Sequence, residues 1–419
     1  MAQKLKFGNG TWANKEGSTL AYNDENNNFK PLPFSFTRNS IATRVNKEGL
    51  IEVVGKDKPR IDYTDSADGV LLLENSSTNL FPYSEDFSSS DWTKSNSSIV
   101  SNSTISPDGT QSAETFSITS NFGFFYKAPS LASGATVTQS IFVKNINADR
   151  INLQVRTAST AGLASFFFDN SEITSVTLTN GISADFDYYG DGWYRVYLTC
   201  QTTETNQLFR FQLNESGMSC YIWGAQVEQQ SYATSYIPTS GSSVTRAAET
   251  CNGAGNSEVF NDSEGVLFAD VSFNLEDNYP NLSIFNNTNA TKTDNKIVIY
   301  KGATNSNQIS VALRSGGSEY ANITANVNVE NYNKIVISYK ANEVKYYLNG
   351  FLIGTDNTVT VPIGLDTLNF DNGAGANDVY GKTKELGYYD TALTDEELEY
   401  LTSYRSLNEL VTELNLNTL

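Results

Sequence analysis

The chain carries 47 Asp and Glu residues and no histidine, and that combination sets the chemistry open to it. Without an imidazole there is no Ser-His-Asp triad, no Cys-His dyad and no His-containing zinc site. Cys200, Cys220 and Cys251 form no CxxC pair and are odd in number, so they read as free, buried thiols, with a Cys200–Cys220 pair as the competing reading. What survives is carboxylate chemistry, chiefly hydrolysis of a glycosidic bond by two acidic groups. A strand would aim such groups into one groove at every second position. No Glu-x-Asp-x-Glu run offers that arrangement. The densest acidic run, Asp395-Glu396-Glu397-Leu398-Glu399, lies in a helical pattern and suits a helix N-terminus instead. Phosphate-binding glycine loops of the GxxxxGK[ST] and GxGxxG types are missing as well. No enzymatic activity is expected.

Binding is the remaining class. Trp92, Trp193 and Trp223 are the candidates for stacking on sugar rings, with core packing as the competing reading of each. A formal charge of −19 argues against nucleic acid, whose phosphates need clustered Lys and Arg, and against anionic membrane surfaces. No run approaches the ~20 apolar residues of a membrane span, and no apolar core follows Met1-Ala2-Gln3-Lys4-Leu5-Lys6, so membrane insertion and export are not expected.

The elements that would position a binding site are strands. At 419 residues the chain exceeds the roughly 250–300 at which one hydrophobic core stops growing, so several modules are expected. Thr, Val, Ile, Tyr and Phe suit pleated surfaces, and Asn, Ser and Gly supply tight connections, which makes the fold class all-β. Residues 1–79 form an irregular stretch in which Pro31 and Pro33 forbid helix and block ladder bonds. It reads as an extended arm that needs a partner to bury Phe7, Trp12, Tyr22 and Phe29. Residues 80–248 show the short alternating strands of an antiparallel jelly roll, among them Ile151–Arg156, Trp193–Cys200, Leu208–Leu213 and Cys220–Glu228. Residues 249–392 form a second sandwich, where Asn349-Gly350 between apolar runs specifies a type I′ hairpin. Residues 393–419 read as helical: Thr394 is an N-cap ahead of Leu398, Leu401 and Tyr404, and Leu407, Leu410, Val411, Leu414 and Leu416 extend an apolar stripe. That stripe either docks on its own sandwich or self-associates.

Asn79-Leu80-Phe81-Pro82-Tyr83-Ser84-Glu85-Asp86-Phe87, followed by Trp92, and Gly224-Ala225-Gln226-Val227-Glu228 leading to Tyr236-Ile237-Pro238-Thr239 and Thr245-Arg246, resemble a carbohydrate-binding-module-like sandwich of tailed-phage virion proteins. Tyr347-Leu348-Asn349-Gly350, with Glu385-Leu386-Gly387-Tyr388-Tyr389-Asp390 and Ala392-Leu393-Thr394-Asp395, resembles a concanavalin A-like, laminin-G-type domain. The N-terminal stretch is similar to the virion-attachment region of crAss-like phage fibres.

These resemblances imply a fibre or decoration protein of the head or tail, assembled in the host cytoplasm and resident in the virion. Its partners would be other virion proteins, two further copies in a homotrimer, and host glycans. Attachment would use Phe7, Trp12, Tyr22, Phe29, Pro31 and Pro33. Laminin-G-type domains imply calcium at the sandwich rim, here at Asp371, Asn372 and Asp378, with an Asx-rich turn as the alternative. The alternatives to glycan contact are a purely structural decoration and a polysaccharide depolymerase with a carboxylate pair placed across a cleft or between subunits.

Overall fold

The alternation of apolar and polar residues becomes antiparallel pairing in nearly every segment of the computed structural model, which describes residues 3–157 and 159–413. With 50% strand and 4% helix the protein is all-β, built as antiparallel sandwiches with a short helical end. It divides into two units, one of residues 1–39, 56–75 and 248–419 and the other of residues 40–55 and 76–247.

The first unit stacks a ten-stranded sheet on a nine-stranded one. Residues expected to form a separate arm are part of it. Gln3–Gly8 pairs with Gly381–Tyr389, Phe34–Thr37 pairs with Thr250–Ala254, and Val70–Leu73 pairs with Gly381–Tyr389. The expectation of a distinct region 1–79 is therefore corrected: Gln3–Gly8 and Val70–Leu73 pair with residues more than 300 positions later and Phe34–Thr37 with residues more than 200 later. Phe7, expected at an attachment surface, is 1% exposed and packs edge-on to Phe34 at 5.1 Å. Phe34 in turn meets Phe370 at 5.4 Å. Lys30–Pro31 is the outermost strand of the ten-stranded sheet, the position where a residue lacking an N–H costs no ladder bond.

One buried ionic cluster ties the three segments of this unit together. Arg38 donates from Nη1 to Glu249 Oε1 at 2.7 Å, Arg60 donates from Nε to the same oxygen at 2.9 Å, and Arg60 Nη1 lies 2.8 Å from Glu74 Oε2. The Glu74 backbone N–H donates to Glu249 Oε2 at 2.9 Å. Burial by itself would lower the Arg60 pKa, but the Glu249 and Glu74 carboxylates more than offset it and the guanidinium is held charged.

Asn349 and Gly350 take φ of 50° and 88° between Glu343–Leu348 and Phe351–Asp356, the left-handed pair that a type I′ turn needs. Thr394 caps the helix Asp395–Thr402 in a capping box with Glu397. Of the apolar C-terminal stripe, Leu407, Leu410 and Val411 fall in the helix Leu407–Glu413. Leu414 and Leu416 lie outside the described residues.

The second unit is two six-stranded sheets enclosing Phe81, Phe116, Phe125, Ile151, Leu153, Phe209 and Phe211. One sheet runs Ser97–Thr104, Ala113–Ile118, Ser219–Glu228, Thr136–Asn145, Trp193–Gln201, Ser183–Tyr188. Its outward side chains Phe142, Trp193 and Trp223 are covered by Val45 and Ile51 of the hairpin Ala42–Val45 and Ile51–Val54. The other runs Thr93–Ser95, Phe124–Lys127, Leu208–Gln212, Arg150–Arg156, Thr160–Asp169, Glu172–Thr179. Among the described residues no hairpin of the unit pairs across its outer face.

Candidate functional site

Period-two alternation divides the second sheet cleanly. In Arg150–Arg156 the residues Ile151, Leu153 and Val155 enter the core, which turns Arg150, Asn152, Gln154 and Arg156 outward. In Leu208–Gln212, Phe209 and Phe211 face inward and Arg210 and Gln212 outward. Phe125 faces inward and Phe124 and Tyr126 outward. The ladder then sets these side chains in rows. Phe124, Gln212, Asn152 and Ser165 are successive register partners, and beside them run Tyr126, Arg210, Gln154 and Leu163. Arg150 stands opposite Phe167. These outward positions hold three guanidinia, three amides and three aromatic rings, and no carboxylate.

The amides are bonded among themselves, yet incompletely. Gln154 Nε2 donates to Gln212 Oε1 at 3.1 Å, and the Asn214 amide lies 2.8 Å from Asn152 and against the Arg150 guanidinium. Asn152 and Gln154 are 4% and 7% exposed, and their carbonyl oxygens accept no hydrogen bond. The Nε atoms of Arg156 and Arg210 are likewise buried without an acceptor. Leaving such groups unpaired costs roughly 1–3 kcal/mol each, a cost that water or a ligand bonding to the face would remove. Arg210 lies over the Phe124 ring at 4.3 Å and the Tyr126 ring at 6.0 Å, and Arg150 over Phe167 at 5.4 Å. Burial pushes the Arg210 pKa down, and the charge of Arg156 pushes it the same way. At the rim, Phe122 is 63% exposed with φ of 60°, a strained conformation for a bulky residue, and its N–H donates to the Asn214 carbonyl at 2.8 Å.

The tryptophans nominated from sequence lie elsewhere. Trp92, Trp193 and Trp223 are 2%, 2% and 1% exposed, and their indole N–H groups donate to Tyr83 O, Ile105 O and Ser112 Oγ. None offers a face to a sugar, so the stacking expectation is corrected to core packing: each ring fills volume that the strands leave between or outside the sheets. Alternation in Arg150-Ile151-Asn152-Leu153-Gln154-Val155-Arg156 is the sequence signal by which this face could have been found, with Phe124 and Tyr126 as its aromatic counterpart.

The proposed calcium loop is internally satisfied. Asp371 Oδ1 accepts from the Gly373 N–H at 2.6 Å and from Asn369 Nδ2 at 3.0 Å, while Oδ2 accepts from Asn252 Nδ2 at 3.0 Å. Asn372 Oδ1 accepts from Ala374 N and Ala376 N. Burial, followed by the Asp371 charge, pushes the Asp378 carboxyl up. Among the described residues no three His, Cys, Asp or Glu side chains are grouped to hold a metal. The donor set does not fit calcium. Of the attachment candidates, Trp12 is half-buried and donates to Asp68 O at 2.8 Å, Tyr22 is half-buried beside Phe29 at 5.6 Å, and Phe29, Pro31 and Pro33 are exposed.

The first unit carries two hollows. One, of about 520 Å³, is lined by Asp270, Lys334, Glu385, Arg405 and Glu409 among others. Asp270 and Glu385 are register partners there, and burial together with the Asp270 charge raises Glu385 to about 7. The other, of about 910 Å³, is apolar and lies between Phe351, Ile353, Tyr404, Leu407 and Leu410.

Residues 273–399 match the laminin G model of the concanavalin A-like lectin/glucanases superfamily. Comparison with curated proteins gives no match. Among solved structures, the Ruminococcus gnavus IT-sialidase CBM40 is 21% identical over 36% of this chain and 93% of its own, with a TM-score of 0.30. The leech intramolecular trans-sialidase is 21% identical over 36% of this chain and 26% of its own, also at 0.30. Domains LG4-5 of mouse laminin alpha1 are 10% identical over 66% of this chain and 90% of their own, at 0.25.

Proposed function

We propose that this protein is a non-catalytic glycan-binding component of a phage virion, a fibre or decoration protein whose second unit holds sugar on the outer face of the sheet containing Arg150–Arg156. The observation that carries the reading is the set of buried, unfilled acceptors on Asn152 and Gln154 beside the rings of Phe124 and Tyr126. Sugar hydroxyls donate and accept at once, so one ring can satisfy amide oxygens and guanidinium N–H groups while its apolar side lies on an aromatic. A face without carboxylates suits retention rather than hydrolysis. The match of residues 273–399 to a lectin/glucanase superfamily lies in the first unit, where it supports a carbohydrate role for the chain without bearing on this face. The virion assignment follows the motif resemblance of residues 79–92 and 224–246, and exposed Phe29, Pro31 and Pro33 are the attachment residues left at the surface. Trimeric assembly belongs to the same proposal.

A glycan array probed with the full chain tests the binding role: capture by bacterial surface polysaccharides is expected, with loss in Tyr126→Ala. Failure to bind any glycan refutes it. Antibody labelling of purified phage particles tests the virion role, and unlabelled particles overturn it.

A second reading rests on the Asp270–Glu385 pair. Two adjacent carboxyls, one held near neutrality, are the raw material of a glycosidase. Release of reducing ends from host polysaccharide, abolished by Glu385→Gln, would replace the non-catalytic reading with a depolymerase.

A further inference from the structure

Three guanidinia give the sheet face a local positive charge. Arg150, Arg156 and Arg210 stand on it, and among the described residues none of them pairs with a carboxylate, in a chain whose formal charge is −19. In the first unit buried guanidinia meet a carboxylate directly, as Arg38 and Arg60 meet Glu249. The two arrangements differ in kind: one is a closed structural cluster, the other a set of donors with no anion. Arg156 and Arg210 are near enough to repel, and Nε of each is buried and unfilled. The three side chains are half-buried, and a planar guanidinium fork is preorganised for an oxyanion.

We infer that the ligand of this face is an acidic glycan, its oxyanions seated on Arg210, Arg156 and Arg150 and its hydroxyls on the Asn152 and Gln154 amides. This rests on the glycan reading above and narrows it to a charged class. Arg150 and Arg156 are six strand positions apart, on the order of 20 Å, so the face takes an oligosaccharide bearing more than one acidic group rather than a single monosaccharide. Single-stranded nucleic acid would also stack on Phe124 and Tyr126, but its backbone needs a continuous basic groove, and only three cations sit here in a strongly acidic chain.

The test is titration of the full chain with polygalacturonate, its fully methyl-esterified neutral form, dextran sulfate and oligo-dT. Polygalacturonate binding that is roughly tenfold weaker in Arg210→Gln, and that falls as salt rises, is expected. Stronger binding to dextran sulfate, with the same arginine dependence, supports the inference and assigns the oxyanion to sulfate. Binding of the esterified polymer as tight as that of polygalacturonate, or polygalacturonate binding unchanged in Arg210→Gln, overturns the charged class and leaves the glycan reading standing. Failure of every saccharide overturns both, and tighter binding of oligo-dT replaces them with nucleic acid. Should Arg210→Gln not fold, Ser165→Asp places a carboxylate beside Asn152 on the same face and is expected to weaken binding similarly. Unchanged affinity in that variant counts against the inference.

Discussion

Removing residues 1–39 should unfold the first unit, although a detachable arm would leave it intact. The deletion takes away Leu5, Phe7, Leu32, Phe34 and Phe36, all buried in the core of that unit. Burying one such side chain contributes about 1.5–3 kcal/mol, so five contribute roughly 8–15 kcal/mol. That matches the whole net stability of a typical domain, about 5–15 kcal/mol. The deletion also strips Gln3–Gly8 from its ladder with Gly381–Tyr389 and removes Arg38 from Glu249. A point version is Phe34→Ala, which opens a cavity between Phe7 and Phe370 and should cost about 3–5 kcal/mol. For a unit of this size that corresponds to a melting point lower by roughly 6–20 °C. Calorimetry combined with limited proteolysis reads both variants, with cleavage appearing first within residues 248–419. A truncated chain that melts with the wild-type transition and resists protease there would refute the reasoning.

Three further outcomes are expected. Glu249→Ala leaves Arg38 and Arg60 buried with their main counter-charge gone and should destabilise the first unit by about 3–5 kcal/mol in denaturant titration; a loss below about 1 kcal/mol contradicts the cluster's role. Glu385 and Asp277 are each raised to about 7, chiefly by burial, so the folded state binds protons that the unfolded state has released. Their contribution is present below the ordinary carboxylate range and is lost as pH rises towards 7; melting points should fall across that window, and Glu385→Gln should flatten the slope. Excess calcium or a chelator should leave the melting point unchanged, because the Asp371 oxygens already accept three N–H groups; a reproducible calcium-dependent rise would restore the metal loop.

Local signals survived into the structure because local chemistry decided them. Asn349-Gly350 takes its turn through positive φ, and Thr394 caps its helix through a side chain three residues from its partner. The all-β class followed from strand-forming composition. What stayed hidden depends on distance along the chain. Nothing within residues 3–8 reveals that their partners are residues 385–389, and nothing in Arg38 or Glu249 alone announces a cluster joining positions 211 apart. The proposed binding face illustrates the same limit from the other side. Tryptophan drew attention as the largest aromatic, but its volume is what makes it fill the core, whereas Phe124, Tyr126 and Phe167 lie outward through strand parity. The polar alternation of Arg150–Arg156 was visible in the sequence. Its meaning needed the neighbouring strands that bring Arg210, Gln212 and Asn214 alongside.

The central claim is that sugar sits on the outer face of the sheet containing Arg150–Arg156, and a crystal structure of the full chain with its tightest-binding acidic oligosaccharide tests it most directly. The account predicts ligand density over Phe124 and Tyr126, within hydrogen-bonding distance of Asn152 Oδ1, Gln154 Oε1 and the Arg210 guanidinium. Density in the Asp270–Glu385 hollow or along the apolar groove at Phe351 and Leu407, with the sheet face bare, would contradict it.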